Sequence, residues 1–99
     1  MIFNISPPEQ LDNSVTITNW LGAIYPVTAL LEEIITADPN RKKLFLENRS
    51  AENIYIKFGD ANTELMAIYP DSAWVEEDAA SFSVWAEGNG NLYVAQWIV

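Results

Sequence analysis

The sequence predicts an all-β fold, one small antiparallel β-sandwich or jelly-roll-like barrel spanning residues 1–99 as a single domain. Three observations predict it. Short apolar runs recur between turn residues, and no long amphipathic helix interrupts them. Leu44 and Leu46, and then Ile54, Ile56 and Phe58, recur with the period of two that a half-buried strand requires. Turn signals then recur at the short spacing typical of sandwiches and jelly rolls.

Taken in order, residues 2–5 are expected as a first edge strand ended by Pro7-Pro8. The run Ser6-Pro7-Pro8-Glu9-Gln10 reads as extended chain, so residues 1–27 are expected to include a partly extended N-terminal arm. Val15 and Ile17 share one face of a short segment at 15–18. Residues 29–35 are ambiguous, because Leu30 and Ile34, like Leu31 and Ile35, stand four apart as on a helix. The β-branched pair Ile34-Ile35 favours strand for the second half. Asp38-Pro39-Asn40 is a turn with a mechanism: proline fixes φ, and Asp and Asn accept turn geometry.

After that turn, Leu44 and Leu46 share one face of a strand, and Ile54, Ile56 and Phe58 share one face of the next. The parity fits a β-hairpin pairing Leu46 with Ile54 or Ile56. Its other face would carry Phe45, Glu47, Arg49, Tyr55 and Lys57, with Glu47 and Lys57 across from or diagonal to each other. Further strands are expected at residues 65–69, stopped by Pro70, and at 73–76. Residues 82–87 and 92–98 read as a C-terminal hairpin around Gly88-Asn89-Gly90-Asn91. Tyr93, Ala95 and Trp97 fall on one face of the last strand, and Leu92, Val94 and Ile98 on the other. A half-solvated strand would be polar on one side. Trp20, Trp74, Trp85 and Trp97 are many large rings for so short a chain. Each alone suits a core; together they predict an aromatic interface, most simply in a homo-oligomer.

A chain of 99 residues buries enough surface to hold a core without staples. It has no cysteine and no histidine, which removes disulfides, thiolate metal sites and the commonest general base and metal ligand. No metal or other cofactor is expected. The start, Met1-Ile2-Phe3-Asn4, has no basic n-region and no apolar run of spanning length, so the expectation is cytoplasmic synthesis without export and no membrane partner. The sequons at Asn4 and Asn48 are then chance matches. The net charge of −9 argues against nucleic acid as a partner. All basic residues (Arg41, Lys42, Lys43, Arg49, Lys57) lie in one stretch, while residues 58–99 hold seven acids and no base. Either this stretch sits beside acidic strands of its own domain, or the Arg41-Lys42-Lys43 corner docks on an acidic partner.

Catalytic patterns are weak. Glu32-Glu33 and Glu76-Glu77-Asp78 are neighbours that a strand would point to opposite faces. Asp60-Ala61-Asn62-Thr63-Glu64 opens like a calcium loop, yet Leu65 stands where the loop needs glycine and Asp71 where it needs a bidentate Glu. Ser72, Ser81 and Ser83 have no nearby base, and no glycine-rich phosphate loop occurs. A non-enzymatic protein is expected.

Residues 32–59, EEIITADPNRKKLFLENRSAENIYIKFG, resemble a pattern in small structural proteins of tailed bacteriophages. In it a short strand enters an N-P-N-R-K turn, here Asp38-Pro39-Asn40-Arg41-Lys42, with Asp38 where the pattern more often has Asn. A strand ends near an Asn, here Asn48, and the chain returns through Ile54-Tyr55-Ile56-Lys57-Phe58-Gly59. The remainder follows more loosely, through Pro70, Trp74 and VWAEGNGNLYVAQW. The resemblance implies a virion component: a capsid decoration (cement) protein on the head exterior, bound to the major capsid protein and to itself, with a homotrimer matching local threefold positions. Its binding residues would be Arg41, Lys42, Lys43, Trp20, Trp74, Tyr93 and Trp97. The alternative is a receptor- or glycan-binding module of a head fibre or tail, with Trp20, Trp74 or Tyr69 stacking on sugar. A stand-alone bacterial interaction domain is a third option.

Overall fold

A computed structural model describes residues 20–60 and 64–99. The segments expected at residues 2–5 and 15–18 lie outside the described residues. Eight strands follow in order: β1 (Trp20–Val27), β2 (Glu32–Ile35), β3 (Arg41–Asn48), β4 (Ile54–Phe58), β5 (Met66–Ile68), β6 (Ala73–Glu76), β7 (Val84–Glu87) and β8 (Gly90–Ile98). They form two antiparallel four-stranded sheets, ordered β1-β8-β3-β6 and β2-β7-β4-β5. The fold is therefore the all-β sandwich expected, with jelly-roll strand order.

The order has a simple origin. β1 lies beside β8 and β3 beside β6 in one sheet, as β2 lies beside β7 and β4 beside β5 in the other. That is one long antiparallel ribbon rolled up, closed by the β8–β3 and β7–β4 pairings. Rolling buries one face of each strand. Leu44, Leu46, Leu92 and Val94 from the first sheet meet Ile54, Ile56 and Val84 from the second, all fully buried. Each such side chain contributes about 1.5–3 kcal/mol relative to exposure.

Both expected hairpins are corrected by this order. β3 and β4 belong to different sheets, so Leu46 faces Ile54 and Ile56 across the core instead of pairing beside them. Glu47 and Lys57 consequently lie on opposite outer surfaces. β7 and β8 also belong to different sheets, and Gly88-Asn89 arches between layers. A turn signal marks where the chain reverses, but an in-plane hairpin and an inter-sheet arch both keep the apolar parity. The connection that stays in one sheet is β4 to β5.

Of the span 1–27 expected to include a partly extended N-terminal arm, residues 20–27 are strand β1, and residues 1–19 lie outside the described residues. Gly22 and Pro26 hid this strand from propensity reasoning. Position explains the proline. Asn91 directs its carbonyl to the Arg49 N–H on the β3 side, and Asn91 is the partner of Pro26 across the β1–β8 ladder. Pro26 therefore turns its nitrogen away from β8, to the side where no strand pairs with β1 among the described residues and no ladder bond is lost.

Turn chemistry is as expected at Asp38-Pro39-Asn40. The Arg41 N–H donates to the Asp38 carbonyl at 3.1 Å, and the Asn40 N–H donates to the Asp38 carboxylate at 2.9 Å. Before β6, Pro70-Asp71 makes a second tight turn, with Asp71 at φ 62° and the Ser72 N–H donating to the Tyr69 carbonyl at 3.0 Å. Proline followed by a positive φ is the signature of a type II turn.

Candidate functional site

The outward faces of the two sheets differ in chemistry. On the β2-β7-β4-β5 sheet, the register sets Glu33 beside Trp85 and Trp85 beside Lys57, with Glu87 beside Tyr55. That surface is charged. On the other sheet, one row crosses all four strands: Gly22 opposite Ala95, Ala95 opposite Phe45, Phe45 opposite Val75. The row holds no polar side chain. A second row runs Ile24, Tyr93, Glu47, Ala73, and Trp97 stands opposite Lys43 in a third. Ile24 is 53% and Val75 59% exposed, so the apolar surface extends to both edges of the sheet.

Cations frame this face and lie flat against it. The Arg49 guanidinium is 4.3 Å from the Tyr93 ring centroid, and the Lys43 ammonium 5.2 Å from that of Trp97. Phe45 meets Tyr93 edge-on at 6.3 Å. Glu47 pairs with Arg49 at 2.8 Å and Glu77 with Lys43 at 3.2 Å. Such exposed pairs and cation–ring contacts contribute about 1 kcal/mol or less each. They hold flexible cations in place beside the rings, which lowers the entropy lost when a partner covers them.

The basic corner divides. The β3–β8 register shifts between Arg41 and Lys43, placing a bulge at Lys42. Without it, Arg41 and Lys43 would share a face; with it, Lys43 points out and Arg41 points in. Arg41 is 2% exposed. Its Nε donates to the Ala80 carbonyl at 2.6 Å and its Nη2 to the Phe82 carbonyl at 2.6 Å. Its Nη1 donates to the Thr36 carbonyl at 3.1 Å and to Gln96 Oε1 at 3.0 Å. Burial pulls its pKa below the ordinary value, while Asp38 and Tyr25 act the other way. Arg41, expected on a docking corner, is thus an internal clamp joining both sheets' loops to β3. Lys42 remains exposed, its Nζ donating to the Pro39 carbonyl at 3.3 Å.

Of the expected binding residues, the outward face assembles Lys43, Tyr93 and Trp97. Trp20 opens β1 opposite Trp97. Trp74 instead lies half-buried against the core, its Nε1 donating to Glu76 at 3.0 Å. Ile24 and Val75 were missed. Val75 alternates with Trp74 and was legible by parity; Ile24 needed β1 to be recognised. Asn48 is fully buried at the far end of β3, its amide donating to the Glu52 and Ile68 carbonyls at 2.7 Å each. Its sequon is therefore closed to modification in the folded chain. A separate open groove of about 530 Å³ is lined by Glu33, Ala37, Phe58, Gly59, Asp60, Phe82 and Ser83.

No protein-family model matches the chain, and no curated protein does. Among solved structures, the chain is similar to one described by the words "Bacillus endospore appendages form a novel family of disulfide-linked pili". The TM-score is 0.51 at 10% identity, over 89% of this chain and 99% of that one. At that identity the likeness shows the sandwich fold alone. Disulfide linkage is chemically closed to this cysteine-free chain.

Proposed function

We propose that this chain is a non-enzymatic structural protein of a bacteriophage particle, a head decoration (cement) protein. It docks on the major capsid protein through the outward face of the β1-β8-β3-β6 sheet. One observation carries the reading: the uninterrupted apolar row from Gly22 through Ala95 and Phe45 to Val75, flanked by Tyr93 and Trp97. An aromatic centre rimmed by Lys43, Arg49 and Glu47 has the composition of a recognition surface. The phage-like segment at residues 32–59 supplies the setting, and the jelly-roll order is one that capsid proteins use.

The mechanism is mechanical. Docking across neighbouring capsid subunits adds contact area that must be broken before the shell opens. A modest free energy per copy then acts many times over one shell. Heads assembled without the protein should release DNA at a lower temperature than decorated heads, measured with a DNA-binding dye during heating. Equal release temperatures would remove the cement role.

A second reading has one feature in its favour. The groove between Phe58 and Phe82, with Glu33 and Asp60 beside the rings, combines stacking surfaces and acceptors in the way sugar sites do. Binding to a host glycan without affinity for heads would favour this receptor-binding module.

A further inference from the structure

Among the described residues four strands lie at sheet edges, and three of them are protected against pairing with another chain. β2 has four residues, begins Glu32-Glu33 and is broken by a bulge. β5 has three residues and β6 four, the latter ending in Glu76. Shortness, charge and bulges are the usual defences of an open edge. β1 lacks nearly all of them. It has eight residues, WLGAIYPV, with no charged side chain, and Leu21 is 55% and Ile24 53% exposed. Among the described residues, β1 pairs with β8 alone.

The side of β1 away from β8 can be read residue by residue. Because Pro26 turns its nitrogen away from β8, alternation makes Trp20, Gly22 and Ile24 direct their backbone groups the same way. Three N–H donors are thus offered in a row, and Pro26 ends the series.

We infer that β1 pairs antiparallel with β1 of a second copy about a twofold axis at Ala23. The two outer sheets then form one continuous eight-stranded face. The occupant follows from charge and shape. In a chain of net charge −9, a neutral strand is a place where two copies can meet without setting like charges together. Centring on Ala23 sets Gly22 opposite Ile24 of the second copy, and Leu21 opposite Tyr25. The hydroxyl end of Tyr93 lies over Gly22, so the incoming Ile24 packs beside that ring. Gly22 and Ile24 exchange paired backbone bonds with the second copy. Trp20 N–H reaches the Pro26 carbonyl, the one bond that proline still accepts there. An Ile24-centred register would set Gly22 against Pro26 and forfeit donors.

The inference does not depend on what the enlarged face binds. It differs from the homotrimer suggested by resemblance, because an isologous strand pair closes at two copies.

Ala23 provides the test. Its backbone groups face β8, so across the axis it forms a non-hydrogen-bonded pair with Cα atoms about 4.5 Å apart, within disulfide range. The natural chain has no cysteine. Under mild oxidation, full-length Ala23→Cys should cross-link as a dimer roughly tenfold faster or more than Asn89→Cys, as effective concentration demands. Light scattering should give twice the 11.1 kDa monomer for the natural protein and the monomer for Ile24→Lys. A monomeric natural protein, a dimer whose Ala23→Cys form links no faster than the control, or a dimer unmoved by folded Ile24→Lys would each overturn it.

Discussion

Two buried polar side chains, at opposite ends of β3, decide how the arches are held. Arg41 closes carbonyls of residues 36, 80 and 82, groups that no ladder satisfies. Arg41→Leu keeps the volume but strands these acceptors, and should cost on the order of 3 kcal/mol in urea unfolding. Lys42→Ala, one residue away, should change stability by less than about 0.5 kcal/mol. Asn48 gives a pH-dependent counterpart. In Asn48→Asp an oxygen would confront the Glu52 and Ile68 carbonyls where the amide now donates. The two donors of Ser50 on the other oxygen favour the carboxylate, but full burial and the two facing carbonyls outweigh them, so its folded pKa lies above the unfolded value of about 3.9. Stability relative to the natural protein is then least impaired below pH 3.9 and falls as pH rises through the folded pKa. Denaturation midpoints at pH 3 and pH 7 measure the gap; a gap independent of pH would mean that Asn48 makes no such donation.

At the scale of elements, the links between strands carry the information that alternation lacks. Gly90 opens β8 at φ 155°, and a Cβ there would collide with the Ser50 side chain in the arch between β3 and β4. Gly90→Ala should therefore destabilise by about 1–3 kcal/mol through backbone strain and that collision; an unchanged melting midpoint would contradict the packing of the two arches. Much of this level was legible in the sequence. Parity at Leu44, Leu46, Ile54 and Ile56 identified inward positions, and Asp38-Pro39-Asn40 identified a turn. What parity could not tell was whether a reversal lies within a sheet or between sheets. β1 escaped because Gly22 and Pro26 oppose strand propensity, while an edge tolerates both. The inward turn of Arg41 depends on a one-residue bulge, and a run of three cations carries no signal of it.

For the whole molecule, rolling the ribbon separates two surfaces of unlike character. The β1-β8-β3-β6 face gathers rings, Lys43 and Arg49. Across the sandwich, Glu33 and Glu87 lie on the other outer face, with exposed Glu32 on its β2 edge. A sticky apolar side, backed by a side where Glu33, Glu87 and Lys57 stand among the rings of Trp85 and Tyr55, lets the proposed docking use one face and leave the other in solvent. Exposed residues of the sticky side can be changed at little cost to folding, which makes docking separable from stability. Val75 suits this purpose because it lies at the β6 edge, away from β1 and the strand pairing inferred there. The most direct measurement is cosedimentation of natural protein and Val75→Lys with expanded phage heads lacking the protein, after confirming equal melting midpoints. Saturable occupancy by the natural protein is expected, with at least about a tenfold loss of affinity for Val75→Lys, as for a charge buried in an interface. Equal occupancy by both proteins, or none by the natural one, would contradict it.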